Sequence, residues 1–85
     1  MKKEFNDRVE HRNEKWMLHN EDGPAVIWRD GDKFWWINGQ LHRLDGPAIE
    51  FSSGEKHWYL NGIRYSEERY QEELIKIKLE RLTKL

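Results

Sequence analysis

The chain has 85 residues, of which 36% are charged, 36% hydrophobic and 13% aromatic. Its 15 basic and 16 acidic residues leave a net charge of −1, which gives a nucleic-acid backbone no basic footprint to follow. Cysteine is absent, which excludes disulfides, thiolate zinc sites and thiol nucleophiles together.

A mean hydropathy of −1.08 leans towards disorder. Five Trp, three Tyr and three Phe argue the other way, since each ring buries about 150–250 Å². The balance predicts one thin, aromatic-rich domain over residues 1–85. Met1–Asp7 holds no apolar run of the signal-peptide kind, and no stretch is apolar for the length of a bilayer, so the expectation is a cytoplasmic protein with no membrane partner.

Residues 1–14 are a polar lead-in without a clear period. Phe5 and Val9, four apart, suit either one short amphipathic helix or a loose strand. Lys15–Leu18 precedes a Leu-His-x-x-Asp-Gly-Pro-Ala segment, as Trp36–Asn38 precedes the next one, and is expected to be a degenerate first strand. From Leu18 onwards the sequence is written twice. Leu18–Gln40 and Leu41–Ile63 align without a gap at an offset of 23 residues, with 11 identical positions that include His19/His42, Asp22/Asp45, Trp35/Trp58 and Asn38/Asn61. A fixed period of this length marks a repeat architecture, and residues 15–65 hold about two and a half copies.

Each copy predicts two strands and two turns. Asp22-Gly23-Pro24 is a turn, Ala25–Trp28 a short strand, and Asp30-Gly31 reads as a two-residue hairpin loop. Asn38-Gly39 is the strongest hairpin signal, and the second copy repeats the scheme with Ser53-Gly54 and Asn61-Gly62. A two-residue loop at Asp30-Gly31 pairs Trp28 with Lys33 and Val26 with Trp35. One face then carries Val26, Trp28, Trp35 and Ile37, matched by Ile49, Phe51, Trp58 and Leu60, and is expected to be the core; the alternative is a ligand-stacking platform. The other face carries Phe34, Trp36, His57 and Tyr59, with Leu41 opposite Trp36 and Arg43 nearby, as a candidate binding surface.

Residues 66–85 predict a helix. Ser66 caps it, Glu67 and Glu68 suit its positive end, and Lys78, Arg81 and Lys84 suit its negative end. Ile75–Leu79 also alternates with period two, but the caps decide for helix. The tail is the one segment left to cover the aromatic face. Its apolar residues form two stripes, Tyr70/Leu74/Ile77 and Ile75/Leu79/Leu82, and a small domain can bury one of them. The second stripe predicts a homo-oligomer, a dimer first. The fold class expected is mainly β with a C-terminal helix (α+β), an antiparallel hairpin meander of about five strands capped by one α-helix.

Two motifs carry candidate chemistry. His19 with Asp22 and His42 with Asp45 give His-x-x-Asp twice. Either they begin a metal set completed by His11, His57 or Glu50, or each Asp caps its own turn while the His bonds backbone. The second reading is favoured because a repeat keeps what its turns require, so no metal is expected. Lys33 and Lys56, placed by this register near Trp28 and Phe51, offer cation–π contacts or, alternatively, phosphate contacts. Arg43 stands where the first copy has Asn20, so the two turns differ in chemistry. No phosphate loop, nucleophile triad or carboxylate pair is supported, so no catalytic residue, enzyme activity or cofactor is expected.

Gly31–Ala48 reads Gly-x-x-x-Trp-Trp-Ile-Asn-Gly-x-Leu-His-Arg-x-Asp-Gly-Pro-Ala. This resembles the "LHRxDGPA" repeat proteins of bacteriophages and some large viruses, which are similar to variant MORN repeats. The resemblance spans Trp16–Tyr65 and departs from ordinary MORN repeats by lacking their regular Gly-x-Gly spacing. It implies a hairpin array acting as an interaction module, located in the host cytoplasm if viral. The expectation is a non-enzymatic, phage-type binding protein that inhibits or modulates a host defence or toxin protein. The alternative is a nucleotide-binding sponge that stacks a base on Trp or Tyr and holds phosphate with Lys33, Lys56 or Arg43.

Overall fold

The computed structural model describes residues 1–83. Nine short strands precede one helix: β1 (Lys2–Glu4), β2 (Arg8–His11), β3 (Val26–Trp28), β4 (Lys33–Phe34), β5 (Trp36–Ile37), β6 (Gln40–Leu41), β7 (Ile49–Glu50), β8 (Lys56–Leu60), β9 (Ile63–Tyr65) and α1 (Glu67–Thr83). Seven strands form one antiparallel sheet in the order β1-β2-β3-β4-β7-β8-β9, and β5 and β6 form a small hairpin beside it. The chain is thus mainly antiparallel β with a C-terminal helix. The repeat region contributes seven strands, five of them in the main sheet; the strand expected over Lys33–Ile37 breaks at Trp35 into β4 and β5, and β5 pairs with β6 instead of continuing the meander.

Two expectations at the N-terminus are corrected. The lead-in is neither helix nor loose strand but a regular hairpin, β1 with β2, which joins the sheet by pairing β2 with β3. Lys15–Leu18 is not a degenerate strand. Asn13 folds the chain back there: its side chain accepts from the Lys15 and Met17 amides, its amide donates to Met17 O, and its carbonyl accepts from the Trp16 amide. Only Leu18 makes a bridge, to Arg12.

The turns decide which side chains share a face, and here the predicted register is off by one. The Trp28 amide donates to Asp32 O at 2.9 Å and the Gly31 amide to Trp28 O at 2.9 Å, which encloses three loop residues, not two. Gly31 closes the loop at φ +102°, a bulge position that an L side chain rarely adopts. The second copy is the same: the Phe51 amide donates to Glu55 O and Gly54 has φ +97°. One extra loop residue sends every side chain of the following strand to the other face. Val26 therefore opposes Phe34, and Ile49 opposes His57. The eight residues expected as one core face are split. Val26, Trp28, Ile49 and Phe51 lie on one side, and Trp35, Ile37, Trp58 and Leu60 on the other.

The Asn-Gly turns form as predicted. Asn38 and Gly39 have φ 49° and 79°, Asn61 and Gly62 have 52° and 81°, and each is a two-residue loop with both central residues left-handed.

Ser66 caps α1 through its Oγ, which accepts from the Arg69 amide at 3.2 Å. The helix packs chiefly on the second repeat and on β9. Tyr70 and Leu74 are buried against Leu60, with Leu44, Trp58, Tyr65 and Ile77 packed around them. The helix therefore covers the Trp58/Leu60 side and not the Phe34/Trp36 side expected from the sequence. The Ile75/Leu79/Leu82 stripe is left exposed, and Lys84 lies outside the described residues.

Candidate functional site: an aromatic sheet face

The side of the sheet away from the helix is built by two sets of paired strands. Glu10, Val26, Phe34, Ile49 and His57 form one row across β2, β3, β4, β7 and β8. The Phe34 and Phe51 rings meet edge to face at 6.0 Å, and the Phe51 and His57 rings at 5.5 Å. Beside them Trp28 shares this face, and Trp36 opposes Leu41 across β5 and β6. These large side chains bury the small ones between them: Val26 is 4% exposed and Ile49 7%. The rings themselves stay half-buried, and among the described residues no second layer of strands or helix stands over them.

A buried charge is set into this face. Glu10 is 8% exposed and opposes Val26. Arg8 Nε donates to its carboxylate at 2.8 Å, and Arg12 bonds its other oxygen at 3.0–3.1 Å. The hydrogen bond from Arg8, followed by that from Arg12, holds the Glu10 carboxyl below its ordinary pKa despite burial. Arg8 in turn lies 4.1 Å from the Phe5 ring centroid and 5.4 Å from that of Trp28. Glu10, Leu18, Val26, Trp28, Phe34 and Trp36 line a shallow depression of about 610 Å³. Trp36 Nε1 is buried there with no hydrogen-bond partner among the described residues.

Five of the six residues proposed as a binding surface are brought together: Phe34, Trp36, Leu41, His57 and Tyr59. Arg43 is not among them. Its guanidinium lies 3.8 Å from the Trp35 ring centroid on the helix side, bonded to Glu50 at 2.6 Å and Asp45 at 3.0 Å. Its carbonyl accepts from the Tyr70 hydroxyl at 2.5 Å. Arg43 and its counterpart Asn20 do the same structural work, since Arg43 Nη1 donates to Pro47 O at 3.0 Å and Asn20 Nδ2 to Pro24 O at 3.1 Å. The expected Asp cap of the turn is replaced by these bonds.

Lys33 and Lys56 are also relocated. The register row Val9, Ile27, Lys33, Glu50, Lys56 runs on the helix side, so both lysines flank Glu50 and stand on the face opposite Trp28 and Phe51. The aromatic rings and the lysines of the nucleotide reading are therefore on different sides of the sheet.

His19 and His42 hold backbone. His19 Nδ1 accepts from the Asn38 amide and His42 Nδ1 from the Asn61 amide, both at 2.9 Å and both 19 residues away. The histidine of each Leu-His-x-x-Asp-Gly turn thus fixes the next Asn-Gly turn. Burial, with a smaller contribution from the nearby Arg81 charge, lowers the His42 pKa. Among the described residues no three His, Asp or Glu side chains converge as a metal set.

Sequence reasoning missed Trp28, Phe51 and the Glu10 cluster as parts of this face. The first two were lost with the loop count. For the third the signal was present, because Arg8, Glu10 and Arg12 alternate with Val9 and His11 at strand period.

Taken together, fold and site define a single-layer hairpin-repeat array with one face covered in part by a helix and one left aromatic. Compared with known protein families, curated proteins and solved structures, the chain matches none.

Proposed function

We propose that the protein is a non-enzymatic binding module that docks a protein partner on its aromatic sheet face. The observation that carries the reading is that face itself. Trp28, Phe34, Trp36, Phe51 and Tyr59 lie together on the side that α1 does not cover. Half-exposed aromatic patches rimmed by polar groups suit protein partners, and Trp and Tyr dominate the energetics of such contacts. The Arg8–Glu10–Arg12 cluster supplies fixed charge at the edge of the patch. The repeat's likeness to viral LHRxDGPA proteins supports a host defence or toxin protein as the partner, which the module inhibits or modulates.

The test is co-purification from host lysate, then calorimetric titration of the purified partner. Trp36→Ala is expected to weaken binding by at least about tenfold, the effect of a loss near 1.4 kcal/mol. Lys33→Ala, on the opposite face, is expected to bind as wild type. Equal affinities for wild type and Trp36→Ala overturn the reading. A thermal-shift response to one mononucleotide, lost in Trp36→Ala, replaces it with the small-molecule alternative.

A further inference from the structure

We propose that the outer face of α1 is a dimer interface, pairing antiparallel with the same face of a second copy about a two-fold axis near Ile75. Ile75, Leu79 and Leu82 recur at helical spacing as one stripe and are 58%, 56% and 73% exposed. The inner stripe is already used, with Tyr70 and Leu74 buried on the sheet. Every described residue from Lys78 onwards is exposed, and of these Arg81 lies over the depression lined by Trp35 and His42, on the inner side of the helix. In a folded protein, packing of an apolar face contributes more to a helix than propensity does. A second helix laid along the stripe supplies that packing.

Charge selects the occupant and its direction. The outer face begins acidic, with Glu68 and Glu72, and continues basic, with Lys76 and Lys78 flanking the apolar stripe. An antiparallel pair sets the acidic half of each helix beside the basic half of the other. A parallel pair sets like charge beside like. The surface is thus complementary to itself under a two-fold rotation, which is what an isologous contact requires. The aromatic sheet face takes no part in it.

Sedimentation equilibrium of the full chain at high micromolar concentration tests the proposal. The expected mass is twice 10.5 kDa. Leu79→Glu is expected to give the monomer mass with an unchanged helix signal by circular dichroism, since Leu79 is exposed in one copy. Glu68→Lys/Glu72→Lys and Lys76→Glu/Lys78→Glu are each expected to raise the dimer dissociation constant more than about tenfold. The variant carrying all four reversals is expected to recover wild-type affinity. A wild-type mass of 10.5 kDa overturns the proposal. So does a dimer that the four reversals weaken further, because complementary halves must tolerate exchange of sign.

Discussion

His42 acts as a half-buried acceptor, and its titration makes that role measurable. Its Nδ1 lone pair holds the Asn61 amide, and burial holds its folded pKa below the unfolded value. A depressed pKa means that the histidine's contribution to stability is present above the unfolded pKa and is lost as pH falls. His11 is shifted the same way, chiefly by burial. The melting temperature is therefore expected to drop between about pH 7.5 and about pH 5.5, the range over which ordinary histidines gain a proton. His42→Gln is expected to be less stable at the higher pH and to lose part of the slope, with His11 supplying the rest. Calorimetric scans of both proteins at the two pH values decide it, and equal slopes would show that His42 is not the group titrating.

Among the elements, the three-residue hairpin loops govern the layout. Gly54 isolates their backbone requirement, because a Cβ there meets nothing within 4 Å while φ is +97°. Gly54→Ala is expected to cost about 1–2 kcal/mol by backbone strain alone, read as a lower denaturant midpoint with an unchanged slope. A neutral result would mean that the loop relaxes to another register. These loops also mark how far the sequence is legible. The repeat, the Asn-Gly turns, the Ser66-capped helix and its two stripes follow from local chemistry, and all are present. The face assignment does not follow, because Asp30-Gly31 fits either a two-residue loop or the last two positions of a three-residue loop. The difference of one residue decides whether Trp28 joins Phe34 or Trp35. The aromatic site was legible for the same reason only in part. Phe34, Trp36, His57 and Tyr59 alternate along their own strands and stay together under either register, while Trp28 and Phe51 depend on the loop. Asn13, which turns the chain where a strand is expected, works through side-chain bonds that no strand or helix period reveals.

For the whole molecule, thinness is the governing fact. Extents of 44 × 32 × 17 Å leave room for one layer of strands and one helix, so the interior is divided between two small clusters. The helix closes Leu60, Tyr70 and Leu74 on one side. On the other side the aromatics close over Val26, Ile49 and Glu10, with no other layer among the described residues. Such an array gains stability from each neighbour pair more than from a central core. A pair of copies joined through their helices carries its two aromatic faces away from the joint, and so presents them to two partners or to a partner with two matching sites.

The bond from each histidine to an asparagine 19 residues ahead has a consequence for how such a chain can change length. The link crosses from one repeat's first turn to the same repeat's last, within a 23-residue period. Duplicating or deleting one full period leaves every such link intact, whereas any other insertion between His42 and Asn61 separates a turn from its tether. Growth by whole units is therefore the permitted mode of variation. A chain with Leu41–Ile63 duplicated is expected to fold with one more hairpin pair and a melting temperature no lower than the parent's. Insertion of half a period at Ser53 is expected to abolish cooperative melting. If the half-period insertion melts as sharply as the parent, the tethers do not govern how the array is spliced.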